Sequence, residues 1–380
     1  TFVLFLYDKG LTNFEANLLF SVFNISVILF EPLSAIISEL LPKKGSFIIG
    51  CILKVITSLI FINAQSLKVL IIAEIISGLS IGFISGSLVA WAVDKLKSKN
   101  QWENGYEIFA LVSKYKTIFL IIGGLLGAYL GEKNLTIPWI ANCISFSILI
   151  ILSFILMDTR PYETKILKNC ISKIDNNIYN LVLKGYKLAI NDKYILLLIL
   201  STLISSMSLA SLQMFRLPMI KNGFAINQIS LGYIWIFIEC GRLLGSFFVK
   251  KFYSSFKIPM MGLIFMPFIS SGFLISAFYF SGNSLMLLCF FAFEFLEPFY
   301  SCLKDGIINS RIQNEGRITV LSLESIADKL GSTIGLVFIG YLADKVSMTF
   351  AWYFSSVIFI FTSLLYLGLF KISLNEMKYH

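Results

Sequence analysis

The sequence predicts an all-α membrane protein of twelve transmembrane helices, the first truncated in this sequence, arranged as two pseudo-symmetric six-helix bundles. Three observations predict it. Apolar segments long enough to cross a bilayer recur almost from end to end, most basic residues fall in every second turn, and one long polar stretch divides the segments six and six. Composition agrees. The chain is 57% apolar with a mean hydropathy of +0.82, above the roughly 45–50% apolar content of soluble domains.

A helix crossing the hydrocarbon core needs about 20 mostly apolar residues. Segments of that kind run over 15–41, 46–64, 67–93, 107–131, 137–157, 194–215, 229–252, 258–280, 284–308, 318–342 and 349–370. Residues 1–6 read as the last turns of an earlier helix, because a polar loop follows at once. The chain begins with Thr1, so most of that first helix is expected to be absent from this sequence. No cleavable signal peptide is visible, and a polytopic chain needs none.

The net charge of +9 raises nucleic acid as a partner, but its distribution points to a lipid bilayer instead. If the N-terminus is cytoplasmic, twenty basic residues fall on the inner side, among them Lys43, Lys44, Lys250 and Lys251. Six, Arg216 among them, fall in outer loops. Such a bias orients membrane proteins positive side inward, which places both termini in the cytoplasm. The polar stretch 158–193 follows the sixth span and reads as a cytoplasmic linker with an amphipathic helix on the membrane surface. The expected organisation is therefore an N-terminal bundle over 1–157, the linker, and a C-terminal bundle over 194–380.

The halves look like repeats, a common feature of transporter folds. Shifted by 216 positions, Phe83 to Gly86 of the fourth span lies on Phe299 to Cys302 of the tenth. The turn after span two carries Glu39, Lys43 and Lys44 in the places of the acid and basic pair of the signature Gly-x-x-x-Asp-x-x-Gly-Arg-Arg. Gly245, Lys250 and Lys251 repeat part of it in the second half. Trp91 and Asp94 close span four, and Arg317 to Ser322 opens span eleven. On these residues the chain resembles the major facilitator superfamily, and in the last two segments its drug:proton antiporter branch. The resemblance implies a facilitator fold whose first, fourth, seventh and tenth spans line a central cavity. The turn of Glu39, Lys43 and Lys44, with Asp94, is expected to gate the inner face as a latch between states, the alternative being a solvated turn of snorkelling charges.

Ionisable residues inside spans are the sharpest functional signal, since each costs about 2.5–3.5 kcal/mol at the bilayer centre. Glu31, Lys54, Glu239, Arg242, Glu294 and Glu297 qualify by depth. Glu294 and Glu297 share one face of span ten at i,i+3 spacing, continued by Ser301 and Lys304. Two close carboxylates cannot both ionise cheaply, so the pair suits a proton carrier or a cation site. The alternative is a structural pair neutralised by a basic residue of a neighbouring span. Glu239 and Arg242 form either an intrahelical ion pair or part of the site. Glu31 is a second proton site or a partner for Lys54, Lys114 or Lys116. Lys114 and Lys116, with Glu324, Asp328 and Lys329, fall near the cytoplasmic ends and suit an inner gate or the interface. The hydroxyl-rich span seven offers Ser205 and Gln213, and span four Trp91, as cavity candidates, although small polar residues also serve helix packing. The glycines near the end of span five, Gly123 among them, are expected to permit close helix contact.

The sole histidine is His380, the six cysteines include no CxxC pair, and no Walker sequence is present. No cofactor, metal or enzymatic activity is expected. The expected function is secondary active transport by alternating access, with proton-coupled export of a small amphipathic molecule by a monomer in a bacterial inner membrane. A nutrient importer working by symport or uniport remains open, as does a non-transporting sensor or scaffold.

Overall fold

The computed structural model describes residues 2–98, 105–157, 192–255, 259–311 and 317–378. Among them are twelve helices, α1 (Phe2–Asp8), α2 (Asn13–Leu40), α3 (Lys43–Asn63), α4 (Leu67–Ser98), α5 (Gly105–Lys133) and α6 (Ile137–Leu156), then α7 (Lys193–Phe224), α8 (Gln228–Ser255), α9 (Pro259–Tyr279), α10 (Ser284–Arg311), α11 (Arg317–Lys345) and α12 (Met348–Lys378). Ten of these, all except α1 and α5, are long and apolar enough to cross a membrane among the described residues. Helices satisfy every internal backbone group, which the hydrocarbon core demands. The linker helix expected over 158–193 lies outside the described residues apart from its last two positions.

Helix ends are set by local chemistry. Thr12 and Glu15 form a reciprocal capping box at the start of α2, with Thr12 N–H donating to Glu15 Oε2 at 2.9 Å and Glu15 N–H to Thr12 Oγ1 at 3.2 Å. Asp192 caps α7 by accepting from the Tyr194 and Ile195 amides. The interior prolines Pro32, Pro218, Pro267 and Pro298 leave their helices unbroken. As a result α7 runs well past residue 215, and Arg216, expected in an outer loop, is a helical residue eight positions from the end of α7.

The chain divides into two compact units, one of Thr1–Leu11 with Leu19–Lys173, the other of Thr12–Leu18 with Ile174–His380. In the first unit α3 packs on α4 and α6. Its contacts are close because small residues meet. A Cβ on Gly78 of α4 would lie 2.5 Å from Ser26 of α2, and one on Gly50 of α3 would lie 3.0 Å from the Ser80 carbonyl. Among the described residues, Gly123 on α5 has nothing within 4 Å of where a Cβ would lie, so that one glycine of the expected set makes no close contact. In the second unit α7 packs on α11 and α12, α8 on α10, and α9 on α10 and α12. Gly331 and Gly335 let α11 ride directly on the Leu203 and Met207 carbonyls of α7, and Gly241 and Gly245 do the same for α8 against Phe291 and Phe295 of α10. Such small-residue seams are how helices associate without a hydrophobic effect between them.

Candidate functional site

α7 and α8 are joined at 225–227 and α9 and α10 at 280–283, so those ends of α7, α8 and α10 lie at one side of the second unit. Arg216, Glu239, Arg242 and Glu294 sit 8 to 14 residues in from those ends. At about 1.5 Å per residue this is a common depth of roughly 12–21 Å, and the four side chains meet there.

They form a closed ring of alternating charge. Glu294 offers one carboxylate oxygen to Arg216 and the other to Arg242, the latter at 2.5 Å. Glu239 also splits its oxygens, with Arg216 at 3.6 Å and Arg242 at 3.3 Å. Two guanidiniums and two carboxylates balance. The planar fork of arginine suits this bridging role better than a lysine ammonium would. Glu294 is 1% exposed, which a carboxylate tolerates only when its charge is fully paired.

Glu297, one turn further along α10, lies outside the ring. Its carboxylate is 3.8 Å from Arg242 Nε, and its side chain is 36% exposed against 1% for Glu294. Arg242 is itself 47% exposed, so the ring opens to its surroundings on the Arg242–Glu297 side. The expected direct carboxylate pair is thus resolved into a buried, doubly clamped Glu294 and a more exposed Glu297. The ion pair of Glu239 and Arg242 exists but is one edge of a larger structure.

A second polar group lies toward the opposite ends of the same helices. Lys304 of α10 bridges Glu324 of α11 at 2.8 Å, and Thr202 of α7 donates to the same Glu324 oxygen at 3.3 Å. Ser206 donates to Asp328. Buried beside them, Ser201 donates to the Tyr366 hydroxyl, which also meets Tyr300 at 3.0 Å. Glu324 is thus held inside its own unit by Lys304. The side chains of Lys114 and Lys116 lie outside the described residues.

Other candidates fall elsewhere. Ser205 is buried and donates to its own helix at the Thr202 carbonyl, a packing arrangement. Gln213 is exposed. Trp91 packs against the first-unit cluster of Phe47, Cys51 and Met157, with Lys95 Nζ 5.6 Å above its ring. Glu31 is exposed beside Gly82, and Lys54 bonds Ser77 rather than Glu31. Of the gating residues, Lys44 donates to the Phe154 carbonyl at 2.9 Å, at the last turn of α6. Lys43 begins α3, while the side chains of Glu39 and Asp94 lie outside the described residues.

Two residues escaped the sequence reading. Arg216 was missed because Gln213 and Arg216 look like a helix exit. The apolar residues continuing to Ile220, with Gly223 as the natural stop, were the available signal. Glu74 was missed because a single acid near the start of span four resembles an interfacial residue, yet it is only 5% exposed.

The family model of the Major Facilitator Superfamily matches residues 1–303. The chain is 22% identical over 388 residues to the uncharacterised MFS-type transporter YxaM of Bacillus subtilis (strain 168), covering 99% of this chain and 92% of that one. It is 25% identical over 347 residues to the quinolone resistance protein NorA of Staphylococcus aureus (strain MSSA476), covering 90% and 84%. Among solved structures it is similar in fold to the nucleoside transporter NupG, with a TM-score of 0.78 at 13% identity over 97% of this chain and 93% of that one. It is likewise similar to the D-xylose-proton symporter, at 0.67 and 14% over 96% and 91%. With its multiple spans, this chain is an integral membrane protein and belongs to the Major Facilitator Superfamily of transporters.

Proposed function

We propose that the chain is a proton-coupled exporter of a small amphipathic molecule, working by alternating access in a bacterial plasma membrane with both termini cytoplasmic. Glu297 is the proton carrier in this reading. The observation that carries it is the separation of roles in the charge cluster. Arg216, Glu239, Arg242 and Glu294 close a neutral ring, which leaves Glu297 as the added carboxylate, partly exposed and 3.8 Å from Arg242. A carrier must load and release a proton without dismantling its surroundings, and Glu297 meets that condition where Glu294 does not.

Substrate and proton share Arg242 in this mechanism. When Glu297 is charged it engages Arg242, and when protonated it frees part of the guanidinium and neutralises the open side of the site. Export as the direction is supported by the similarity to the quinolone resistance protein NorA. Structural neighbours at such low identity speak for the fold alone.

The test is flux in proteoliposomes under an imposed pH gradient, comparing the parent with Glu297→Gln. Gradient-driven flux of an amphipathic substrate should be lost while substrate exchange without a gradient persists. Unimpaired gradient-driven flux would overturn Glu297 as the carrier. Gradient-driven accumulation in the opposite sense would favour the importer.

A further inference from the structure

The first unit holds a buried ionisable group that the mechanism above does not use. Glu74 of α4 is 5% exposed. It accepts no hydrogen bond from any described residue, and its electrostatic partner is Lys54 of α3. The Lys54 ammonium is committed elsewhere, donating to Ser77 Oγ at 2.7 Å. Ser77 lies three positions from Glu74, on the same face of α4. One lysine therefore stands between two possible partners a single turn apart and is bonded to the uncharged one.

We propose that Glu74, Lys54 and Ser77 form a second proton-binding site, built into the first unit and independent of the ring around Glu294. A carboxylate this little exposed, with no hydrogen bond from any described residue, is poorly compensated for the water it loses, whereas a protonated carboxyl loses far less. With Glu74 protonated, Lys54 rests on Ser77, which is the arrangement observed. When the proton leaves, the new charge draws the ammonium about 5 Å along α4 onto Glu74 and off Ser77. Proton occupancy is thereby read out as the position of Lys54, between α3 and α4.

Among the described residues, the helices around Glu74 offer it no competing charge. α3 contributes Lys54 here, and its other charges, Lys43 and Lys44, are at the far end of the helix. α2 brings Ser26 against Gly78, and its Glu31 lies beside Gly82, two turns further along. α6 carries no charged residue between Ile137 and Leu156, and supplies Asn142, which accepts from Ser58 one turn from Lys54. At the end of α1, Lys9 is bonded to the Ala64 carbonyl. A fixed ion pair would place the ammonium on the carboxylate, and the structure does not.

The experiment is an infrared pH titration of the full chain reconstituted in lipid, reading the C=O stretch of protonated carboxyl groups. The expected result is a titrating band equivalent to one carboxyl that vanishes in Glu74→Gln and persists in Glu297→Gln. A spectrum in which Glu74→Gln removes nothing would overturn the proposal, and Glu74 would then be a permanently charged counter-ion. Should Glu74→Gln fail to fold, Ser77→Ala keeps both charges and removes only the alternative partner of Lys54. The band should then weaken at fixed pH, and an unchanged band would equally overturn the site. Because nothing is transported in this measurement, its outcome is independent of the role given to Glu297.

Discussion

Among the described residues, the first unit places a part-buried Lys54 on Ser77 beside the buried Glu74, whereas the second unit gathers four charges into a ring around the buried Glu294 and adds a further bridge from Lys304 to Glu324. Both units seat their helices in the same way. Gly78 against Ser26 and Gly50 against Ser80 in one have counterparts in Gly331 against Leu203 and Gly241 against Phe291 in the other. Small-residue seams therefore recur in both units. Among the described residues the first unit packs by the same seams with fewer ionisable groups inside it, so seams of this kind do not themselves call for a charge cluster.

The strongest way to break this contrast is to remove Glu294. Glu294→Gln leaves the two guanidiniums Arg216 and Arg242 facing each other with Glu239 alone between them. Truncating one partner of a buried ion network costs about 3–5 kcal/mol. We expect a large fall in thermal stability, measured as the fraction of monodisperse protein after heating in detergent, together with loss of all substrate exchange. Glu297→Gln, in the same assay, should keep the stability of the parent. Equal losses in both variants would mean that the five residues are one structural network with no division of labour.

A smaller effect is expected at the bridge between α10 and α11. Lys304 and Glu324 are mostly buried, with side chains 16% and 14% exposed, and Thr202 shares the carboxylate. In a double-mutant cycle of Lys304→Met and Glu324→Gln, contacting residues in one network couple by about 0.5–3 kcal/mol. The double variant should be more stable than the sum of the single losses predicts, because each single change strands the other charge. Strict additivity would show that the bridge is a surface pair screened by water.

The seams give a direct comparison between units. An alanine Cβ at position 331 would fall 2.1 Å from the Leu203 carbonyl, while one at position 123 meets nothing within 4 Å. Gly331→Ala is expected to separate α7 from α11 and cost about 1–3 kcal/mol, as overpacking does. Gly123→Ala should stay within about 0.5 kcal/mol of the parent. Heat stability of the two variants, measured side by side, decides the matter.

Much of this fold is legible in the sequence because the bilayer imposes one length scale and one polarity rule on every span. The apolar runs mark ten of the membrane-crossing helices to within a few residues at most ends. What stays hidden is how far a helix continues past its apolar run. α7 carries Arg216 and Pro218 inside it, and the arginine is accommodated there because the ring pairs it. The candidate site was half legible for the same reason. Glu239, Arg242, Glu294 and Glu297 announce themselves as charges in apolar surroundings, but which of them is clamped and which is open depends on Arg216. Spacing along one helix cannot reveal a partner supplied by another.

Lys44 carries the smallest expected effect and separates two readings of one residue. The family resemblance makes it part of a gate, while the structure shows its ammonium donating to the Phe154 carbonyl and lying 5.2 Å from the centre of the Phe154 ring. A cation at the last turn of a helix satisfies an orphan carbonyl and complements the helix dipole, worth about 0.3–1 kcal/mol. Lys44→Gln retains a donor without the charge. If capping α6 is its whole task, stability should drop by that small amount and transport should follow it in proportion. If Lys44 leaves Phe154 during the cycle to hold the inner face in another state, the charge matters more to turnover than to stability. Transport should then fall several-fold while heat stability stays at the parental level. A flux assay and a melting curve on this one variant place Lys44 on one side or the other, because a resting cap and a moving latch predict different ratios of the two losses.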